Sequence, residues 1–190
     1  MGLLNRLRGK LTGGGGHERA GYSLYGHAVA AAREPALYRD LGVPDTLDGR
    51  FDMVGLHASL LIRRLRALPE PGPILAQAVG DAMFTEMDIN LREMGVGDLS
   101  VGRKVREMWE AFHGRAFSYE AALAAGDAGL LAEALARNVW RGAAPRGAAD
   151  RLARLALAQD AALMGQDLPA FAAGRARFLN LSDLPSETHP

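Results

Sequence analysis

The chain of 190 residues contains no cysteine. This absence excludes disulfide bonds, thiolate catalysis and metal sites that depend on thiolate ligands. The chain also lacks a run of about 20 apolar residues, the length that a helix needs to cross a bilayer. Its first residues do not contain the apolar stretch of a secretory signal. We therefore expect a protein that stays on the cytoplasmic side.

The chain has no excess of one charge, because 22 Lys and Arg residues balance 22 Asp and Glu residues. A domain that binds nucleic acid usually has a basic excess, so no DNA partner is expected. β-Branched residues are sparse, whereas alanine and leucine dominate and hydrophobic residues make up 48% of the chain. This composition predicts a packed protein made of helices.

The apolar pattern predicts an all-α fold: one compact domain of about seven or eight helices over residues 17–180. Strong helices are expected at residues 50–68, 74–94, 100–113 and 148–164, and a last one at 169–178. The glycine turn at residues 95–97 is typical of a helix C-cap. Ser118 and Asp127 are expected to be the N-caps of two further helices. Residues 181–190 are predicted to be a disordered tail.

For two of these helices, the apolar faces predict which sides are buried. The helix at residues 50–68 is apolar on two sides, which favours a central buried helix over one with a docking groove. The helix at residues 100–113 is expected to bury one narrow stripe, formed by Val101, Val105, Met108, Trp109 and Phe112.

A basic amphipathic segment is predicted at residues 2–11, followed by a flexible hinge of glycines at residues 13–16. Its apolar residues are Leu3, Leu4, Leu7 and Leu11, and its cations are Arg6, Arg8 and Lys10. Such a segment can lie on an anionic membrane surface. It can equally be a solvated tail, since so short a helix is marginal by itself.

The search for catalytic chemistry yields one weak pattern, Glu110 and His113 at the Glu-x-x-His spacing of di-iron bundles. Such bundles need two copies of the Glu-x-x-His motif and two further glutamates, whereas this chain has one copy of the motif. A surface glutamate and a capping histidine are the favoured interpretation. We therefore expect no catalytic residue, no metal and no cofactor.

The helix at residues 74–94 carries an unusual set of polar residues. Glu86, Asn90 and Glu93 border its apolar face, where they could form an internal network that fixes the glycine turn or a recognition surface. Asp88 and Arg92 lie on the outer side, spaced to form an ion pair.

Two basic clusters, Arg63, Arg64 and Arg66 and then Arg103, Lys104 and Arg106, are expected to be solvated faces. Together with Arg6, Arg8 and Lys10, they could instead face anionic lipid or ribosomal RNA.

Two segments, GVPDTLDGRFD at residues 42–52 and MDINLREMGVGDLSVGRKV at residues 87–105, resemble the ubiquinol–cytochrome c chaperone family. Tyr25, the Arg33-x-Pro35 and Tyr38 pattern, and Phe112-x-Gly114-Arg115 with Tyr119 are also similar to that family. The resemblance extends over roughly residues 22–135 and is that of an alphaproteobacterial-type member.

This resemblance implies an all-helical protein that is not an enzyme and that binds newly made cytochrome b. It further implies a small helper protein and the ribosome as partners. The basic segment at residues 2–11 adds the expectation of a peripheral position on the inner membrane. A flexible apolar surface would suit such a client, with Met53, Met83, Met87 and Met94 as candidates, although core packing is favoured for them. The polar rim candidates are Arg50, Asp52, Asp88, Arg92, Glu93 and Asp98.

Two rival interpretations stay open from the sequence. One is a helical enzyme that depends on a metal or a quinone and uses Glu110 and His113. The other is a general scaffold at the membrane surface, bound through residues 1–16.

Overall fold

The computed structural model describes residues 14–184, and in this range the chain is helical without any strand. The all-α fold predicted from composition is confirmed. The α-helices are α1 (Gly14–Ala32), α2 (Pro35–Arg39), α3 (Leu47–Arg66), α4 (Gly72–Glu93), α5 (Asp98–Ala125), α6 (Ala128–Val139), α7 (Ala148–Met164) and α8 (Leu168–Ala172), and a 3₁₀ helix spans Leu181–Asp183.

Helix α3 lies at the centre and packs against α1, α4 and α7. Its expected burial on two sides is confirmed, since Met53, Leu60 and Leu61 are all fully buried. The N-cap of the helix is Thr46, whose side chain accepts a hydrogen bond from the amide of Gly49 at 3.2 Å. This cap satisfies one of the amides that a helix start leaves free.

Helices α1 and α4 form the most extensive pair in the fold. Gly21 permits their close approach, because a Cβ atom at this position would lie 2.5 Å from the Cβ atom of Ala78. No side chain larger than hydrogen fits there without moving the two helices apart.

The structure changes the predicted start of the domain. Gly14, Gly15 and Gly16 belong to α1, so most of the predicted glycine hinge is helical rather than flexible. The predicted amphipathic segment at residues 2–11, with Arg6, Arg8 and Lys10, lies outside the described residues and stays a prediction.

Helix α5 runs without interruption for 28 residues, from Asp98 to Ala125. The predicted N-cap at Ser118 is wrong, because its hydroxyl donates to the carbonyl of Arg115 within the helix at 2.7 Å. The helix ends at Gly126, which has a φ of +64° that glycine adopts without steric cost.

The narrow core stripe expected on the first part of α5 is only partly correct. Val101 and Phe112 are buried, whereas Val105 and Met108 are half-buried and Trp109 is half-exposed. The first part of α5 therefore buries fewer of these side chains than its apolar pattern predicts.

Two predicted caps are confirmed. Gly95 has a φ of +81°, and the amide of Val96 donates to the carbonyl of Leu91 at 3.0 Å, which completes a Schellman motif. Asp127 caps α6 by accepting from the amide of Leu130 at 2.9 Å.

The C-terminal end differs from the prediction. Helix α8 ends at Ala172 rather than near residue 178, because Gly174 turns the chain with a φ of +72°. Leu181 is buried and its amide donates to the carboxylate of Glu34 at 2.9 Å. The predicted disordered tail is therefore wrong for residues 181–184, and residues 185–190 lie outside the described range.

Candidate functional site

A surface groove with a volume of about 740 Å³ lies between α3 and α5. Helix α3 lines one wall, α5 lines the other, and the end of α7 closes one side. The lining residues are Ser59, Ile62, Arg63, Arg66 and Ala67 of and after α3, Phe112, His113, Ala116, Phe117, Glu120 and Leu123 of α5, and Met164 of α7. We call this the apolar groove.

Aromatic side chains give the apolar groove its character. Phe112 is buried and stacks edge-on against Phe84 of α4, with the ring centroids 5.9 Å apart. Phe117 at the margin is 84% exposed and extends the apolar surface of the groove. Trp109 stacks on His113 just beyond, with ring centroids 4.0 Å apart. The groove therefore offers aromatic contact area to an apolar partner.

An ion network borders the apolar groove. Arg63 donates to Asp160 at 2.8 Å and to Glu120 at 3.1 Å, so it connects α3, α5 and α7. Arg64 donates to the carbonyl of Gln166 at 2.9 Å. The solvated face expected for these two arginines is only partly correct, because both are half-buried and engaged by internal partners. A contact of this cluster with lipid or ribosome stays a prediction. Arg66 is exposed and lines the groove.

The second unusual surface is the tip of the α4–α5 hairpin. Leu99 is fully exposed, and Ile89 and Met94 are also exposed. Arg92 holds the two helices of the tip together by donating to Asp88 at 2.6 Å and to Asp98 at 2.5 Å. The predicted Asp88–Arg92 pair is confirmed. We call the surface formed by residues 88–99 the hairpin tip.

The internal network, which the sequence favours for Asn90 and leaves open for Glu86 and Glu93, is not present among the described residues. Asn90 and Glu93 are exposed, and Glu86 is half-buried. The glycine turn is instead fixed by its backbone hydrogen bonds and by Arg92. Glu93 and Asp98 remain exposed at the hairpin tip, where they are open to a partner.

The predicted rim residue Asp52 has a structural role instead. Its carboxylate is buried between Arg115 of α5 at 2.9 Å and Arg141, which follows α6, at 2.8 Å. Burial raises the pKa of Asp52 to about 6, because the desolvation of the carboxylate outweighs the attraction of the two guanidinium groups. Arg141 adopts a φ of +55°, a costly conformation for a residue with a side chain. The buried carboxylate cannot reach a client, so this prediction is corrected.

The other predicted rim residue of this segment, Arg50, is exposed. It donates to Asp45 at 2.6 Å, and the pKa of Asp45 is lowered by this hydrogen bond. Arg50 remains accessible on the surface, away from the apolar groove.

The four candidate methionines separate into core and surface. Met53 and Met83 are fully buried and Met87 is nearly so, which identifies them as core residues rather than a client surface. Met94 is the exposed one, at the hairpin tip. The alternative of ordinary core packing is thus correct for three of the four.

The possible metal pattern has a simple local explanation. His113 pairs through Nδ1 with the carbonyl oxygen of Trp109 at 2.9 Å, one turn earlier in the helix. Within residues 14–184, no three or more His, Asp or Glu side chains are arranged to hold a metal ion. In the same range, no helix combines the length and the apolar character that a membrane span requires.

The second basic cluster is exposed along α5. Arg103 pairs with Glu107 at 2.8 Å, as its spacing predicts, and Lys104 and Arg106 point to solvent. Whether this face meets lipid or ribosome stays a prediction.

Phe117 was missed at the sequence level, although a signal was present. It follows Phe112 by five residues, a spacing that places it on a different side of a continuous helix. A helix end at His113 and a new start at Ser118 conceal this relation, because they place Phe117 between two helices.

Comparisons with known proteins agree with this architecture. A family model described as ubiquinol-cytochrome C chaperone matches residues 39–178. The ubiquinol-cytochrome-c reductase complex assembly factor 1 of Xenopus laevis is 23% identical over 120 residues, which cover 63% of this chain and 60% of that protein. The chain is also similar to the protein in the crystal structure of the Cbp3 homolog from Brucella abortus, with 32% sequence identity and a TM-score of 0.81. The match covers 96% of this chain and 99% of that chain. The chain belongs to the ubiquinol–cytochrome c chaperone family.

Proposed function

We propose that the protein is an assembly chaperone for ubiquinol–cytochrome c reductase, and that it holds newly synthesised cytochrome b until assembly proceeds. It acts by binding a polypeptide and not by catalysis. The family to which the chain belongs and the similarity to an assembly factor from Xenopus laevis support the assembly role. The identity of the client is our own inference.

The observation that carries the proposal is the exposed aromatic side chain of Phe117 at the edge of the apolar groove. A monomeric protein gains nothing in stability from such exposure, and exposed apolar surface that continues into a groove is typical of a binding site. Burial of one phenylalanine contributes about 1.5 to 3 kcal/mol to binding. The groove can thus retain an apolar segment reversibly.

The charges around the apolar groove suit a membrane-protein client. Arg66 is exposed at its border, where it can pair with the polar end of an apolar helix. A client helix would then bury its apolar side against Phe117 and Ile62, while its flanking loops remain in water.

We assign a second, weaker contact to the hairpin tip. Leu99 and Met94 are exposed there beside Glu93 and Asp98, which together form a small amphipathic surface. This surface suits a small helper protein or a client loop. The exposed cations Lys104 and Arg106 are available for a ribosome or an anionic membrane, in keeping with a peripheral position on the inner membrane.

A photocrosslinking experiment tests the proposal. Benzoylphenylalanine replaces Phe117 in the full chain, which is present while cytochrome b is synthesised with membranes. The expected result is a crosslink to cytochrome b from position 117. Leu99 at the hairpin tip and Glu133, an exposed residue of α6, provide matched positions for the same reagent.

The crosslinking outcomes distinguish the apolar groove from the hairpin tip as the client site. A crosslink from position 117 that exceeds that from position 133 at least tenfold supports the apolar groove. Crosslinking only from position 99 moves the client site to the hairpin tip and overturns the assignment to the groove. No crosslink to a subunit of the reductase from any position overturns the proposed function.

A further inference from the structure

A second groove, separate from the apolar groove, lies between α1 and the first part of α4 and has a volume of about 540 Å³. Tyr22 and Ile74 are two large apolar residues exposed within it. Its full lining is His17, Glu18, Tyr22, Pro73, Ile74, Gln77, Ala78, Asp81, Ala82 and Thr85. We call this the α1–α4 groove.

The α1–α4 groove lies close to the start of α1, and therefore close to the residues that precede this helix. Helix α1 begins at Gly14, and His17 and Glu18 in its first turns already line the groove. The residues that precede α1 therefore join the described structure within about one turn of residues that line the groove. A segment this close is present at a high effective concentration, so even a weak contact can be populated.

The preceding residues match the groove in apolar pattern and charge. Leu3, Leu7 and Leu11 recur at every fourth position, which places them on one side of a helix. Arg6, Arg8 and Lys10 lie between them and carry three positive charges.

The groove supplies the opposite charge. Glu18 and Asp81 line it, and Asp81 uses one carboxylate oxygen, Oδ1, to accept from Gln77 at 2.7 Å. The single positively chargeable side chain among the lining residues is His17.

The length of the α1–α4 groove also agrees with the length of residues 3–11 as a helix. From Ile74 to Thr85 the groove follows α4 for eleven residues, or about 16 Å at 1.5 Å per residue. Residues 3–11 would span about 13 Å as a helix. A turn at Thr12 and Gly13 would allow the segment to run back along the groove.

We propose that residues 3–11 dock in the α1–α4 groove as a short amphipathic helix, with the three leucines against Tyr22 and Ile74. The cations then lie near Glu18 and Asp81. A helix of nine residues is marginal in water, and the groove supplies the tertiary contact that it needs. Docking hides the same leucines that a membrane surface would bind.

Engineered disulfides test the docking in the full chain. Since the protein has no cysteine, Leu7→Cys with Gln77→Cys forms a single reporter pair. The matched control is Leu7→Cys with Glu133→Cys, at an exposed position of α6 outside the groove. Intramolecular disulfide formation under mild oxidation is followed by mass spectrometry, and we expect the reporter pair to form at least tenfold faster.

A groove variant makes the test specific. Ile74→Asp, at an exposed position, should reduce the rate of the reporter pair to near that of the control while the circular dichroism stays unchanged. Equal rates for the two pairs, or a reporter rate that Ile74→Asp does not change, overturns the docking. Equal rates combined with binding to phosphatidylglycerol vesicles that Leu7→Ala abolishes would overturn it in favour of a membrane-bound segment.

Discussion

His57 provides a quantitative test of the core. It lies in the middle of α3, fully buried, where its Nδ1–H donates to the carbonyl of Met53 at 2.8 Å. Its Nε2 can then accept from the amide of Gln159 at 3.3 Å, and Phe178 packs edge-on against the ring. Among residues 14–184 no charged group offsets an imidazolium here, and burial lowers the pKa of His57 to about 4.

The sign of the pH effect follows from this pKa. Between pH 6.5 and pH 4 the unfolded chain binds a proton at His57 that the folded protein does not bind. Stability contributed by His57 is complete above pH 6.5 and is lost as the pH falls towards 4. The difference of about 2.5 pKa units corresponds to about 3 kcal/mol.

The buried carboxylate of Asp52 acts in the opposite direction in the same range. Its pKa of about 6 means that the folded state takes up a proton before the unfolded state does, so acid favours folding through this group. The two effects partly cancel in the wild type. The measurement must therefore compare the wild type with His57→Gln, in which the contribution of Asp52 is retained.

The assay is urea unfolding at pH values between 7.5 and 4. The free energy of unfolding of the wild type should fall relative to that of His57→Gln by about 3 kcal/mol over this range. The control His27→Gln, at an exposed position of α1, should run parallel to the wild type. If the curves of wild type and His57→Gln are parallel to within about 0.5 kcal/mol, the reasoning about this buried imidazole is wrong.

Three further predictions follow from individual contacts. Asp52→Ala should lower the free energy of unfolding by about 3 to 5 kcal/mol in chemical denaturation, because Arg115 loses the anion beside it; a loss below 1 kcal/mol would contradict this. Gly49→Ala should lower the free energy of unfolding by at least about 3 kcal/mol in the same assay, since a Cβ atom would overlap the carbonyl oxygen of Pro44. An unchanged unfolding midpoint would refute this close approach. Phe117→Ser should change stability by less than about 0.5 kcal/mol but reduce recovery of cytochrome b in a pull-down about tenfold; equal recovery would exclude its role in binding.

The segments that resemble the family acquire physical explanations from the structure. In residues 42–52, Gly49 permits the contact with Pro44, and Asp52 forms the buried ion pairs that join α3 to α5 and to the loop after α6. In residues 87–105, Arg92 and Gly95 shape the hairpin tip. The first segment thus stabilises the fold, whereas the second presents a surface.

Composition and apolar periodicity were sufficient for the fold class and for the central position of α3. These properties depend on local propensity and on which faces of a helix are apolar, and both can be read from the chain. The caps at Gly95 and Asp127 were equally predictable, since their chemistry involves residues only a few positions apart.

The sequence alone did not determine the course of α5 or the role of its side chains. His113 and Gly114 resemble a helix end, but nothing in the structure stops the helix before Gly126, and the exposed Phe117 follows from that continuity. The burial of Asp52 and the pairing of Arg63 with Asp160 join residues 89 and 97 positions apart. Such contacts depend on how whole helices pack, so charged residues that a helical wheel places on a surface became internal ion pairs only in the tertiary structure.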